Sequence, residues 1–571
     1  MAKIIGLLSR LTGSVWFSLA APALLFARYG AGLAESWSTH AFAVIWLLHL
    51  AAILLPDGRT LWSRLKDDHW VTLFLALTIA VLTMVAASGA DWPEKLRVIR
   101  IVIQASVVII AARLLIQHMG SFLINHVRVW AILPISLAAI ILTGTGLLLL
   151  PAATNGIDPL DALFTATSAV CVTGLTVVDT ATVFTPFGQA VILSLIQVGG
   201  LGLMSFFAFF ALFMGHGVGL GQSLSITRAV NASFTSDVRR TIGSIIGWTF
   251  TVEATGAIIL FTAWRPVLTG LNTTGLVWQS VFHSVSAFCN AGFSLFPDNL
   301  ESFREMPSIC LTISCLIVAG GIGFAVLTAL VTAFMSTLRG KRRNRLDVHA
   351  RLVALVTAAL ILGGTVFVLA VEWDGALRGM SLPVKISNAL LSSITPRTAG
   401  FDTIPALAFH PATRWVFVAL MFIGASPGGT GGGVKTTTVG LLAAAGFSLL
   451  RKKPGPELWH RMVPLHDLQR AAGLFFACLV FCTVSSTALL LSETVQGEDG
   501  TCADEYIFES VSAFATVGLS TGVTRDLTVP GHWIIIVTMF AGRVGPSVLA
   551  ALTVRPRTMA YSLPEGRIGI G

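Results

Sequence analysis

One glycine-rich stretch has the residue types for phosphate chemistry: positions 423–438 read IGASPGGTGGGVKTTT. Glycines followed by Lys and Thr resemble the phosphate-binding loop of nucleotide-hydrolysing enzymes. That loop needs Lys and then Ser or Thr directly after its last glycine, because Lys covers the phosphates while the hydroxyl binds magnesium. Here Val434 separates Gly433 from Lys435, and no β-strand pattern precedes the loop. The sequence therefore does not predict a nucleotide site at this loop.

The composition predicts a membrane protein. Of the 571 residues, 54% are hydrophobic and 11% are charged, whereas a soluble domain carries roughly 25% charged residues. Apolar runs long enough to cross about 30 Å of hydrocarbon recur along the chain, and the glycine-rich stretch interrupts one of them. None of these runs reads as a removable signal peptide. The seven cysteines include no CxxC pair, so neither a disulfide framework nor a zinc site is predicted.

The net charge of +9 is distributed unevenly along the chain. Basic residues concentrate in LRGKRRNRLDVHAR (338–351) and RKKPGPELWHR (451–461), whereas FPDNLESFRE (296–305) and SETVQGEDGTCADE (492–505) are acidic. This alternation follows the positive-inside rule, which assigns the basic loops to the cytoplasm. The positive charge is thus explained without a nucleic-acid partner. Docking of an acidic cytoplasmic partner is the alternative use for the basic loops.

Four short motifs share one pattern and define four sequence repeats. Each motif ends in Gly plus an apolar residue, follows a short amphipathic run, and is flanked by longer apolar segments. Their glycines lie 118, 108 and 118 residues apart. The repeats are predicted at about 126–215, 236–336, 348–450 and 466–555. The motifs are SAVCVTGL (168–175), SAFCNAGF (286–293), ITPRTAGF (394–401) and SAFATVGL (512–519).

A second glycine-rich element follows each motif by about two dozen residues. The four elements are QVGGLG (197–202), VAGGIG (318–323), GGTGGG (428–433) and AGRVGP (541–546). The stretch considered first is therefore one member of a fourfold set. Each repeat is predicted as helix, short re-entrant helix, glycine turn and a second helix with a break.

Irregular backbone at membrane depth is tolerated only where protein buries it or where it lines a wet cavity. Four glycine turns around one axis would present a ring of backbone carbonyls, and such rings replace the hydration shell of a cation in potassium filters. Glycine permits the required positive φ, and the C-terminal ends of four short helices add a favourable negative dipole. The pattern predicts a cation pore whose filter contains no carboxylate.

At these residues the chain resembles the Trk/Ktr/HKT superfamily of potassium transporters, in particular the bacterial TrkH and KtrB type. The resemblance covers about residues 130–571 and includes LIQVGGLGLMSF, SITPRTAGFDT, GGTGGGVKTTT and the ending YSLPEGRIGIG. It implies an all-α polytopic membrane protein with four helix–pore-helix–helix repeats around a pseudo-fourfold central pore. The implied potassium-binding filter residues are Val172, Thr173, Gly174, Asn290, Ala291, Gly292, Thr398, Ala399, Gly400, Thr516, Val517 and Gly518.

The resemblance also implies selectivity and a gate. In this family a serine in place of the first filter glycine accompanies sodium transport, so Gly174 favours potassium. The third-repeat break is implied to be an intramembrane loop that gates permeation. The gate residues are Gly428, Gly429, Thr430, Gly431, Gly432, Gly433, Lys435 and Arg543. Lys435 is interpreted as a loop anchor, a cation barrier or a snorkelling side chain. Arg543 is interpreted as an electrostatic barrier, or else as one half of a buried ion pair. Glu253 is considered either as the partner of Arg543 or as an acid that faces a cavity.

Residues 1–125 lie outside the resemblance, and their apolar runs predict about four extra N-terminal transmembrane helices before the core at 126–571. Twelve spans are expected in total, eight of them in the core, with both termini in the cytoplasm. Arg97 and Arg100 hint at a voltage sensor, but the arginine ladder and acidic counter-charges of such sensors are not evident. The run that carries these arginines is therefore interpreted as a packing helix, and the role of the N-terminal helices as a group stays open.

The resemblance implies a homodimer in the cell membrane and a cytoplasmic TrkA/KtrA-type nucleotide-binding ring. ATP, ADP or NAD(H) would then bind the partner ring, and this chain would bind no cofactor besides the potassium ion it transports. Two further hypotheses stay open: a sodium- or proton-coupled symporter, and the membrane subunit of a potassium-pumping ATPase. A catalytic site in this chain is not predicted, because its His and Cys residues form no triad or metal spacing.

Overall fold

The structure is a computed structural model that describes residues 129–154, 156–201, 238–338, 346–451, 456–459, 461–496 and 502–545. The predicted N-terminal helices, Arg97, Arg100 and the tail PEGRIGIG lie outside these residues. The described part is almost entirely helical. Its one small sheet pairs β1 (Glu457–Leu458) with β2 (Arg461–Met462) in antiparallel register.

The helices follow the order of the four sequence repeats. Repeat 1 contains α1 (Val129–Leu148), α2 (Pro159–Cys171), α3 (Thr180–Val183) and α4 (Pro186–Gly200). Repeat 2 contains α5 (Val238–Trp264), α6 (Thr273–Cys289), α7 (Pro307–Gly321) and α8 (Phe324–Leu338). Repeat 3 contains α9 (Val348–Glu372), α10 (Leu382–Ile394), α11 (Pro411–Phe422) and α12 (Thr436–Leu450). Repeat 4 contains α13 (Leu465–Gln496), α14 (Ala503–Ala515) and α15 (Val529–Val544).

Local signals mark the starts of two of the short helices α2, α6, α10 and α14 and the ends of three of them. The side chains of Asp158 and Asn272 accept backbone N–H groups at the starts of α2 and α6, which satisfies donors that a helix leaves unpaired. A residue in the left-handed conformation caps the ends of α2, α6 and α14. The last two turns of α2, α6 and α14 are buried. Surrounding protein therefore covers these ends.

The second helices α4, α7, α11 and α15 each carry a proline at the first or second position, where the missing N–H has no helical partner to lose. They contain 15, 15, 12 and 16 residues and stop at the predicted breaks. Between α7 and α8 the chain bends by 112°. In repeats 2 and 3, where the described residues continue past the break, the helices α8 and α12 follow it.

Three described helices are long and apolar enough to cross a membrane: Gly243–Trp264, Val348–Glu372 and Leu465–Thr494. The bent pair α7 and α8 would raise the number to four. Each of the three belongs to the first helix of a repeat. The expected total of twelve spans remains a prediction, because the other described apolar helices are shorter and the N-terminal runs are not described.

Neighbouring repeats pack in a cycle. The second helix of each repeat lies against the short helix of the next repeat: α4 against α6, α7 against α10, and α11 against α14. The fourth contact, between α15 and α2, returns to the first repeat. The four short helices are thus held by the second helices of their neighbours, and their C-terminal ends are brought together.

Candidate cation filter and gate

The four predicted filter segments share one unusual backbone conformation. Their first residues have positive φ although none is glycine, with values between 54° at Thr516 and 76° at Thr398. The glycines that end the segments have φ between 69° at Gly292 and 93° at Gly174. All eight non-glycine residues of the segments have 0% exposure. Left-handed backbone is costly for residues such as Val172, so surrounding contacts must hold these segments in place.

The four glycines form a closed ring. Added methyl groups at Gly174 and Gly518 would overlap the backbone oxygens of Ala291 and Thr173. A methyl group at Gly292 would lie 2.9 Å from the Cα of Gly400, and one at Gly400 would lie 3.2 Å from the Cα of Gly518. Each glycine thus touches the filter segment of the next repeat, and the fourth touches the first. The close approach and the positive φ both require glycine here.

Hydroxyl groups at the ends of the short helices hold the segments from behind. Ser168 and Ser512 accept hydrogen bonds from the N–H groups of Gly174 and Gly518, at 3.0 and 3.2 Å. In the other two repeats the hydroxyl donates to the carbonyl that follows the glycine. Ser286 donates to Phe293 at 2.8 Å, and Thr395 donates to Phe401 at 2.5 Å. Sequence reasoning missed these four residues, although a hydroxyl five or six positions before each glycine was a visible signal.

A cavity of about 370 Å³ opens on the glycine side of the segments and is lined by all four glycines. Its other walls carry the carboxylates of Asp179, Asp298, Glu301 and Asp402, with Arg525 as a basic residue. Burial, and then the charge of Glu301, raises the pKa of the Asp402 carboxyl to about 7. Burial also raises the pKa of Glu301. A cavity with this excess of carboxylates attracts cations when they are ionised.

The third-repeat loop lies at the opposite end of the segments. A methyl group at Gly431 would overlap the hydroxyl of Thr398, and one at Gly432 would lie 2.5 Å from the hydroxyl oxygen of Thr516. The loop also folds on itself, because the N–H of Ala425 donates to the carbonyl of Gly432 at 3.2 Å. The predicted gate glycines therefore contact the first residues of two filter segments directly.

The loop is fastened to the break between α7 and α8 by three backbone hydrogen bonds. The N–H groups of Ser426 and Thr430 donate to the carbonyls of Gly321 and Gly320, at 3.0 and 3.2 Å. In the other direction, the N–H of Phe324 donates to the carbonyl of Gly428 at 3.3 Å. Gly429 packs on Gly321, where a methyl group would lie 2.6 Å from its carbonyl oxygen. The breaks of repeats 2 and 3 thus form one structural unit.

Two cationic side chains hold the loop. Arg543 donates to the backbone oxygens of Thr430 and Gly199. Lys435 donates to the carbonyl of Gly431 at 2.8 Å, within the loop. Neither cation forms an ion pair with a carboxylate of the described residues. The structure thus brings Arg543 to the loop, as the resemblance implies, and Lys435 is engaged as an anchor within it.

Glu253 pairs with Gln197 and not with Arg543, the partner considered from the sequence. Its carboxylate accepts hydrogen bonds from the side-chain amide of Gln197 at 3.0 and 3.3 Å. The thiol of Cys289, directly before the second filter segment, lies 3.8 Å from the same carboxylate. Glu253 has 4% exposure. It therefore joins the break of repeat 1 to the short helix of repeat 2, and the interpretation of Glu253 as a partner of Arg543 is wrong for this arrangement.

Comparison with known proteins identifies the family. The model of the TrkH family, described as a cation transport protein, matches residues 132–561. The chain belongs to this family. It is 35% identical over 440 residues to the potassium/sodium uptake protein NtpJ of Enterococcus hirae, a match that covers 76% of this chain and 95% of the relative. It is 34% identical over 452 residues to the Ktr system potassium uptake protein B of Bacillus subtilis, covering 77% and 96%.

A solved structure has the same fold as this TrkH-family chain. The potassium transporter TrkH of Vibrio parahaemolyticus superimposes with a TM-score of 0.61 at 18% identity, over 86% of this chain and 97% of that one. The chain is a membrane transport protein and not an enzyme. The predicted family is thereby confirmed.

Proposed function

We propose that this protein takes up potassium across the cell membrane through a central pore, and that residues 172–174, 290–292, 398–400 and 516–518 form its selectivity filter. The relatives named for potassium or potassium/sodium uptake support potassium as the substrate. The closed ring of Gly174, Gly292, Gly400 and Gly518 is the observation that carries the proposal. A buried ring of backbone carbonyls has the chemistry to replace water around a potassium ion.

The charges around the ring agree with a cation path. The carboxylates of the cavity concentrate cations outside the filter. The short helices direct their C-terminal ends, which carry partial negative charge, toward the filter segments. A partly dehydrated cation is thus stabilised by backbone dipoles, and no carboxylate is required in the filter.

The third-repeat loop is the proposed gate. It contacts Thr398 and Thr516 and is held by Arg543, and these contacts support a loop that obstructs the proposed path in its resting position. Movement of the loop would open the pore. The same movement would break the contact between the Arg543 guanidinium and the loop. A cytoplasmic nucleotide-binding ring is the proposed regulator, in line with the Ktr system to which the second relative belongs. We further propose a homodimer with cytoplasmic termini.

Cation flux into liposomes that contain only the purified protein tests the filter. Potassium and sodium fluxes are compared for the native chain and for Gly174→Ser, in which the serine has no space beside Ala291. Gly363→Ser is the matched control, because no atom lies within 4 Å of the position its side chain would take. We expect native potassium flux well above sodium flux, a reduced potassium-to-sodium ratio in Gly174→Ser, and a native ratio in the control.

The same assay separates the alternatives. Downhill potassium flux without other ions or ATP supports the channel-like mechanism. Flux that requires a sodium or proton gradient would replace that mechanism with a coupled symporter. Potassium transport against its gradient that requires ATP and a partner protein would favour a pump subunit. An unchanged ion ratio in Gly174→Ser would contradict the proposed filter itself.

A further inference from the structure

A side chain of repeat 2 reaches the filter segment of repeat 3. The amide nitrogen of Asn299 donates a hydrogen bond of 3.1 Å to the backbone carbonyl of Gly400. Asn299 lies 101 residues earlier in the chain and lines the cavity outside the filter. Within the described ranges, no other side chain donates to a carbonyl of the filter segments. The ring is therefore asymmetric at this carbonyl.

The orientation of the Asn299 amide follows from its partner. A backbone carbonyl only accepts hydrogen bonds, so the amide atom that faces Gly400 must be the nitrogen. The amide oxygen has no hydrogen-bond partner among the described residues. Asn299 has φ of 54°, a left-handed conformation that Asn adopts more readily than most residues. The backbone geometry and the donor thus both favour asparagine at this position.

Neighbouring contacts hold Asn299 in position. The hydroxyl of Ser294 lies 3.1 Å from the backbone oxygen of Asn299 and 3.0 Å from ring nitrogen Nε2 of His283. The next N–H along the chain, that of Leu300, donates to the carbonyl of Asp402 at 3.1 Å. His283 belongs to the short helix α6 and has 0% exposure. The segment that carries Asn299 is therefore tied both to its own short helix and to the residues after the third filter glycine.

We propose that Asn299 is a positioning residue for ion selectivity, an inference that rests on the proposed function. Its amide holds the Gly400 carbonyl from outside the ring. Sodium is smaller than potassium, so its coordination requires the carbonyls to move further inward. This inward movement would stretch the hydrogen bond between Asn299 and Gly400, so the bond opposes the coordination of sodium more than that of potassium. The contact from repeat 2 thereby helps to set the field and spacing of the carbonyl ring.

Two substitutions separate a donor role from simple space filling. Asn299→Asp keeps the shape and tolerance of positive φ but removes the N–H donor, and Asn299→Ala removes the side chain. Asn272→Ala is the matched control, since Asn272 belongs to the same repeat and only caps the start of α6. Potassium and sodium fluxes are measured over a range of concentrations in liposomes. The potassium-to-sodium ratio cancels any general attraction of cations by the new Asp carboxylate.

For each ion, the maximal flux is divided by its KM, and the value for potassium is then divided by the value for sodium. We expect this selectivity ratio to fall about three- to tenfold in Asn299→Asp and Asn299→Ala, which is the scale of one lost hydrogen bond. The change should appear mainly in the KM for the ions. A native ratio in Asn299→Asp would overturn the donor role. Gly174→Ser is measured in parallel: if it changes the ratio while both Asn299 variants do not, only this inference fails. If Gly174→Ser has no effect, the filter proposal fails as well.

Discussion

The guanidinium of Arg543 donates a hydrogen bond to the backbone oxygen of Thr430, 113 residues earlier in the chain. The same guanidinium also reaches Gly199 at the break of repeat 1. Thr430 in turn donates its N–H to Gly320 of repeat 2. Thr430 thus contacts repeats 2 and 4 directly and repeat 1 through Arg543, so release of the loop requires several contacts to break together.

Loss of the Arg543 bridge should release the loop. We expect Arg543→Gln to raise the maximal potassium flux about tenfold or more, because charged hydrogen bonds contribute about 1.5–3 kcal/mol each and about 1.4 kcal/mol corresponds to tenfold. Arg543→Lys keeps the charge but cannot bridge two separate carbonyls as well, so it should also raise the flux. Arg265→Gln at the end of α5 is the exposed control. Flux at or below the native level in both Arg543 variants would contradict the bridge.

The backbone link between the two breaks should hold the loop closed. Gly323 has φ of 91°, and an added methyl group there would lie 2.5 Å from the carbonyl oxygen of Pro427. We expect Gly323→Ala to separate the breaks and raise basal potassium flux severalfold. Gly379→Ala is the matched control, since Gly379 also has positive φ (79°) but open space around it. If both variants raise basal potassium flux equally, backbone strain alone explains the increase, and the link between the two breaks is not its cause.

The hydroxyls behind the filter should stabilise it. In Ser512→Ala the partly buried N–H of Gly518 loses its acceptor, which costs about 1 kcal/mol. We expect a lower melting temperature of the purified protein and a reduced potassium-to-sodium ratio. Ser194→Ala is the control, because Ser194 is exposed on α4 and bonds only within that helix. A native melting temperature and ratio in Ser512→Ala would show that this contact is dispensable.

Flux at low potassium concentration should depend on pH. The pKa of Asp402 is raised to about 7, first by burial and then by the charge of Glu301. Its carboxyl is neutral below that pH and negative above it, so the cavity attracts cations more strongly as the pH rises. We expect flux to increase from about pH 6 to about pH 8. In Asp402→Asn this rise should be smaller, and an unchanged pH profile would exclude Asp402 as its source.

Much of the arrangement could be predicted from local residue patterns. The four glycine motifs and the glycine-rich breaks act over a few residues, so their positions in the chain indicated short helices, turns and interruptions. The positive φ at Gly174 and its three counterparts follows from the same rule. Val434 between Gly433 and Lys435 likewise argued against a nucleotide loop.

The sequence by itself indicated the membrane class and the four repeats, because these depend on composition and on spacing along the chain, and its resemblance to the family implied the residues of the candidate filter and gate. Only the tertiary structure decided which repeats meet. Glu253 accepts from Gln197, Arg543 holds Thr430, and Asn299 donates to Gly400. These contacts join residues that lie 56 to 113 positions apart. Their partners depend on how the helices pack, and local pattern carries no information about that packing.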